Sequence, residues 1–188
     1  MKNEALPLAP MSADEFLVWS QALPEGERYE LVAGEAVRLQ SERIRHAEAK
    51  ASAWLALRSG IRERGLDCSA FIDGVSVRID DHTVREPDAL VHCGPYDPNS
   101  LVATNPVVVV EIESPSSAVF DATHKLADYF AVSSISHYLI VSPEQGRLIH
   151  HRRSSVEGEI LTRILGRGET VDLSPPGFTV SVEALLGA

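Results

Sequence analysis

Hydrolytic chemistry needs acids held close together, and three acidic residues of this 188-residue chain stand where strands would hold them. Asp88 follows Pro87 at the head of an apolar strand pattern, and Glu111 and Glu113 close the run Val107-Val108-Val109-Val110-Glu111-Ile112-Glu113. Two residues apart on a strand, Glu111 and Glu113 leave the same face. A carboxylate at the end of such a run is partly desolvated, which is costly unless something compensates it. Converging carboxylates repel unless a cation lies between them, and Mg²⁺, which binds through one or two carboxylates and keeps several waters, suits the place. Such a cation can activate water and stabilise a charged transition state. A plainer reading is also open: strand-end acids returning to solvent, with Pro-Asp as a common strand start.

Lys125 adds to the first reading. It is one of only three lysines, with Lys2 and Lys50, and lies one helical turn after Asp121 and one before Tyr129. All three then share a helix face. An ammonium beside the carboxylates would hold an attacking water or offset charge developing on phosphate oxygens; alone, Asp121 and Lys125 are equally an i,i+4 pair on a solvated helix. His46 is a candidate contact to a phosphate or a carboxylate, or simply a helix-face histidine. His92 beside Cys93 lacks the ligand spacing of a zinc site, and His150-His151 reads as a strand edge. Ser114, Ser116 and Ser117 belong to no Gly-x-Ser-x-Gly elbow and read as turn and cap residues. Gly-x-Gly-x-x-Gly and P-loop motifs are absent.

These side chains must be positioned by elements the pattern suggests. After a loose arm at residues 1–10, Ser12-Ala13-Asp14-Glu15 is a capping box opening a helix through Leu23. Tyr29–Val32 and Glu35–Leu39 form a hairpin around Gly34. A long helix is expected over 41–64, with Ala47, Trp54, Leu55, Leu57 and Ile61 near one face and Gly65 as its stop. Strands follow at 68–72, 75–79, 89–93 and 107–113, the last an apolar run buried on both faces. Then come a helix over 121–132, strands at 137–141, 147–151, 160–164 and 178–180, and a terminal helical turn at 182–186. The expected class is α/β (α+β): a mixed sheet with flanking helices in one domain spanning 11–188.

Composition excludes disordered, collagenous and disulfide-scaffold classes, with 44% hydrophobic and 23% charged residues. The net charge of −10 argues against bulk attraction to nucleic acid. That charge is uneven: residues 73–130 hold ten acids and three bases, whereas 41–64 and 147–167 each have a net +3. The N-terminal residues lack the apolar run of a secretory signal, and no stretch approaches the ~18 apolar residues that span a bilayer. Cys68 and Cys93 form no Cys-x-x-Cys pair and are expected to be free thiols in a reducing cytoplasm.

Together the motifs resemble a known family. Arg28-Tyr29-Glu30-Leu31-Val32-Ala33-Gly34-Glu35 is similar to its "RYELVDGE" signature, and His46 to its helix histidine. Arg85-Glu86-Pro87-Asp88 matches its "R-x-PD" strand, Val110-Glu111-Ile112-Glu113-Ser114-Pro115-Ser116-Ser117 its "VEVLSPST", and Asp121, Lys125 and Tyr129 its "D…K…Y" helix. This is the Uma family of restriction-endonuclease-type proteins, a bacterial group within the PD-(D/E)XK nuclease superfamily; the resemblance covers roughly residues 11–150. It implies a restriction-endonuclease-like fold and a metal-dependent endonuclease acting on DNA phosphodiesters. Asp88 and Glu111 would bind Mg²⁺ or Mn²⁺, Glu30 would complete the acidic set, and Lys125 would stand in for the motif lysine. Glu113 departs from the superfamily, which has lysine there, and from the family, which is usually apolar there. It would be an extra ligand, a partner of Lys125 or an arginine, or a source of repulsion. His46, Asp121 and Tyr129 are auxiliary candidates, and a homodimer is implied. The alternatives are a non-catalytic binding or scaffold module on the nuclease fold, which Glu113 and the acidic balance favour, and a hydrolase of smaller phosphate compounds.

Overall fold

The computed structural model describes residues 9–113 and 120–187, with side chains from residue 124 onward in the second stretch. The first elements are α1 (Ala13–Gln21), β1 (Tyr29–Val32), β2 (Glu35–Arg38), α2 (Ile44–Arg64) and β3 (Cys68–Ile72). They are followed by β4 (Val77–Arg78), β5 (Val84–Arg85), β6 (Ala89–Cys93), β7 (Pro106–Ile112) and α3 (Phe120–Ala131). The chain continues with β8 (His137–Ser142), β9 (Arg147–Arg153), β10 (Ile160–Gly166), β11 (Thr170–Leu173), β12 (Phe178–Ser181) and α4 (Val182–Leu186). Of the expected arm, residues 1–8 lie outside the described residues.

Local chemistry sets these limits. Ser12 and Glu15 cap α1 reciprocally, and the helix ends at Gln21, two residues before the expected Leu23. Ala33 and Gly34, with φ of 49° and 86°, form the two-residue turn of the first hairpin, which needs both residues in the left-handed region. The long helix starts at Ile44, later than expected, with Arg43 as a cap that makes no side-chain bond, and Gly65 stops it at φ 61°. β5 and β11 have no counterpart in the sequence reading, and the strand expected over 75–79 shrinks to Val77–Arg78.

The central sheet has six strands in the order β10-β9-β8-β7-β6-β3, antiparallel except for the parallel pair β7–β8. That parallel pair requires a crossover, and α3 lies in it. Alternation along the strands separates two cores. Ala89, Val91, Val108 and Val110 face α2 through Ala49, Ala53, Leu57 and Ile61, together with the β11–β12 hairpin and α4. Leu90, Val109, Tyr138 and Ile140 form the second core with Tyr129 and Phe130 of α3. Gly60 lets α2 approach that hairpin, since a Cβ there would strike the Phe178 ring. A smaller sheet, β2-β1-β5-β4, packs Leu31 and Val84 against Phe16 of α1. The fold is α+β, a mixed sheet with flanking helices.

Two sequence expectations are corrected. Cys68 and Cys93 are not free thiols: they lie directly opposite one another in β3 and β6, with Cα atoms 4.0 Å apart, and their sulfurs are bonded. Gly94 N donates to Asp67 O, making the neighbouring pair the hydrogen-bonded one and 68–93 the close, non-bonded one. Strand pairing, not sequence spacing, brings them together. His150 and His151 are not at a strand edge either; β9 runs between β8 and β10, and both residues are buried.

Candidate active site

Period-two alternation delivers one half of the site. In β1, Leu31 turns into the α1 core, so Glu30 faces the other way; in β5, Val84 and Arg85 divide likewise. Glu30 and Arg85 meet in the interior, each 5% exposed by side chain, with Arg85 Nη1 3.1 Å from Glu30 Oε2. Arg85 also donates through Nε and Nη2 to Asp128 Oδ2 at 2.8 and 2.6 Å. Glu86 N donates to Glu30 Oε1 at 2.9 Å.

In β7, Val110 and Ile112 face α2 while Val109 and Glu111 face α3, so Glu111 takes a slot that an apolar residue would otherwise fill. There Lys125 Nζ lies 2.9 Å from Glu111 Oε2 and 3.8 Å from Glu30 Oε1, and the Tyr129 hydroxyl donates to Glu111 Oε1 at 2.5 Å. Lys125 and Tyr129, one turn apart on α3, thus grip the same carboxylate. Burial pushes the Glu111 carboxyl up to about 7; Lys125 pulls it down, and the charges of Asp88 and Glu30 push it up again. Burial also raises the Tyr129 phenol, and Glu111 adds to that.

The other half gathers at Asp88, in the bend before β6. Ala89 pairs with Val110, so Asp88 lies at the same end of the sheet as Glu111. Its Oδ2 accepts from Ile112 N at 2.6 Å, and its Oδ1 is 2.8 Å from Lys50 Nζ. Lys50 is also bonded to Glu42 and lies 3.2 Å from Asp73 Oδ1. Asp73 holds φ 51° in the Asp73-Gly74 turn and pairs with Arg28 at 2.8 Å; Arg28 Nε is 3.0 Å from Glu86 Oε1. Burial raises the Glu86 carboxyl, with Arg28 opposing it. His46 Nε2 is 3.0 Å from the Ile112 carbonyl, to which it donates, and 3.8 Å from Asp88 Oδ2. Ligand atoms of Glu42, His46 and Asp88 all lie within 4.8 Å of one another. A cleft lined by Arg28, Arg38, Gln40, Ser41, Glu42 and Asp73 opens beside this half.

Glu30, Asp88, Glu111, Lys125, Tyr129 and His46 therefore occupy one region. Glu113 sits just past β7 and accepts a hydrogen bond from the Ser142 hydroxyl. The side chain of Asp121 and residues 114–119, among them the serines expected to form a turn, lie outside the described residues. Sequence reasoning missed Lys50, Glu42 and Asp73. The signal was available for Lys50: it shares the α2 stripe of buried Ala49, Ala53 and Leu57, where a charge needs a partner. Within the two basic stretches, 41–64 and 147–167, Arg153 turns inward to the carbonyls of Phe130, Val132 and Ile135, Arg167 pairs with Glu183 and Arg45 with Glu144.

The family model described as "Uma2: Putative restriction endonuclease" matches residues 13–183. The chain belongs to the Uma2 family. Among solved structures, this Uma2 chain is similar to one described as a "putative nuclease belonging to DUF820" from Anabaena variabilis ATCC 29413. The TM-score is 0.73 at 17% identity, over 94% of this chain and 98% of that one. It is also 26% identical over 78 residues to the uncharacterized protein sll1609 of Synechocystis sp.. That match covers 42% of this chain and only 44% of the relative's length. Among the described residues of this Uma2 protein, no helix is long and apolar enough to cross a membrane.

Proposed function

We propose that this Uma2 protein is a metal-dependent endonuclease that hydrolyses DNA phosphodiester bonds. The observation that carries the reading is the convergence of Glu30, Asp88, Glu111 and Lys125 at one end of the central sheet, with Glu111 driven up to about 7 by burial and by its acidic neighbours. The donor set fits the ion: the carboxylate oxygens of Asp88 and Glu111 suit Mg²⁺ and Mn²⁺ alike. Asp88 and Glu111 would hold the metal, with Glu30 completing the acidic set. Once bound, the ion would supply a water of lowered pKa and Lewis-acid polarisation of the phosphate.

The chain's own residues do the rest. Lys125 offsets negative charge on the phosphate, where a fixed cation in a dry site acts most strongly. Tyr129 holds the Glu111 carboxylate in one orientation, and Arg85 does the same for Glu30. Arg28 and Arg38, at the cleft beside the site, provide phosphate contacts. The formal charge of −10 keeps nonspecific DNA affinity low at physiological salt. The working unit is a homodimer.

The test is cleavage of supercoiled plasmid with Mg²⁺ or Mn²⁺. The wild type should nick it, and Glu111→Ala and Lys125→Ala should each lose at least about a hundredfold in rate, the scale of removing one transition-state electrostatic contact. Equal rates in all three would mean the site is misassigned. No cleavage by any form would favour the non-catalytic module. Glu113→Leu tests whether that acid is a source of repulsion: faster cleavage means that it suppresses the chemistry.

A further inference from the structure

We propose that Lys50 is a built-in counter-ion that holds the Asp88 carboxylate in the metal-free protein and must be displaced when a divalent cation binds. The inference rests on the metal-dependent reading above and concerns what that reading leaves unused. Lys50 is 3% exposed, yet its ammonium is not in an apolar hole. It faces oxygens of three carboxylates from separate segments: Asp88 at 2.8 Å, Asp73 at 3.2 Å, and Glu42. Several oxygens around one positive centre is the environment a hard cation takes.

Two of the three side chains whose ligand atoms cluster within 4.8 Å, Glu42 and Asp88, are bonded to Lys50. The third, His46, donates through Nε2 to the Ile112 carbonyl, and in the neutral ring Nδ1 then carries the lone pair. That atom is buried without a hydrogen-bond partner, 3.3 Å from Glu42 Oε2. A lone pair facing a carboxylate is a place where added positive charge is favourable. The surrounding charge agrees, since Glu42, Asp73, Asp88 and Glu86 are met here by Lys50 and Arg28.

A dication on Asp88 would repel the Lys50 ammonium and compete with it for the oxygens of Asp88 and Glu42 that Lys50 holds at once, so binding there displaces the lysine. Lysine suits the role: a compact charge on a flexible stem can swing away, whereas a planar guanidinium locked to a carboxylate cannot. Metal affinity is then reduced by the cost of breaking the lysine's contacts, a competition built into the chain.

The experiment measures Mn²⁺ binding by calorimetry on full-length protein without DNA. Lys50→Met, which keeps the stem and removes the charge, should bind Mn²⁺ roughly tenfold or more tightly than the wild type. Lys50→Arg should stay at the wild-type affinity or below it. In the wild type, saturating Mn²⁺ should also raise acetylation of the Lys50 amine by acetic anhydride, read by peptide mapping in a chain with only three lysines. Unchanged or weaker Mn²⁺ binding by Lys50→Met, with the wild type binding normally, overturns the counter-ion role alone. Absence of Mn²⁺ binding in both proteins overturns the metal-dependent reading as well. Should Lys50→Met fail to fold, the wild-type acetylation decides: no rise at saturating Mn²⁺ overturns the proposal.

Discussion

Arg85 is the residue on which the interior of the site depends. It is buried between Glu30 and Asp128, and burial, which disfavours its charge, is outweighed by those two carboxylates, so its pKa is raised. Removing one member of a buried pair strands the other. Arg85→Met should therefore cost about 3 kcal/mol or more in urea unfolding, because Glu30 keeps its burial and loses its nearer cation, with Lys125 left at 3.8 Å. Arg78→Met breaks ion pairs to the exposed Asp14 and Asp81 and should cost less than about 1 kcal/mol. Equal losses would show that the Arg85 pair contributes no more than a surface pair. Residue types carried much of this region into view before any fold was known. Strand-end carboxylates at 88 and 111 and a rare lysine at 125 are unusual enough to stand out. Lys50 is hidden within the net +3 of residues 41–64, whereas its position on the buried stripe of α2 is the informative fact. Asp73 and Glu42 could not be found that way, since loop acids are ordinary and only the fold aims them.

Strands do the positioning, and they also bury groups that titrate. His137 of β8 and His150 of β9 form a diagonal cross-strand pair, Nδ1 to Nε2 at 2.9 Å, in a register that sets Leu139 opposite His150. Both are lowered to about 4, chiefly by burial, and for His150 the His137, Arg152 and Arg163 charges contribute to that lowering. The unfolded chain takes up these protons near 6.5, the ordinary histidine value, while the folded chain refuses them until about 4. Stability must then fall as pH drops from about 6.5 to about 4, by about 3 kcal/mol for one such histidine, and the contribution levels off below that. His150→Leu should flatten that slope in pH-dependent urea unfolding; an unaltered slope would place its source elsewhere. Element legibility follows the same physics of pairing. The valine run of β7 and the 21-residue α2 announce themselves by local pattern. The two-residue β5 does not, because its place in the sheet is set by β1, a partner distant in the chain. The same non-locality hid the Cys68–Cys93 bond.

At the scale of the whole molecule, the central sheet ends on an open edge, and that edge argues for the proposed homodimer. Among the described residues β10 pairs only with β9, and Ile160, Leu161 and Ile164 on it are 38%, 45% and 66% exposed. Monomeric proteins usually blunt such an edge with charge or proline, whereas β10 carries a single charge, Arg163. Antiparallel pairing of two copies centred on Thr162 sets Ile160 against the partner's Ile164 on one face. On the other it sets Arg163 against the partner's Leu161. β-Branched pairs meet and no like charges face each other, as a stable cross-strand register requires. Centring on Arg163 would oppose two guanidiniums and is disfavoured. The pairing is isologous, so it closes at two copies and extends one sheet through both. Two such sites, related by a twofold axis, would address both strands of a duplex. Sedimentation equilibrium should find a dimer for the wild type and a monomer of unchanged thermal stability for Ile164→Lys, an exposed substitution that sets a lysine against an isoleucine. A monomeric wild type, or a dimer that survives Ile164→Lys, would remove β10 as the interface. If the dimer cuts both strands in one encounter, the same substitution should turn linear plasmid product into nicked circles without abolishing cleavage.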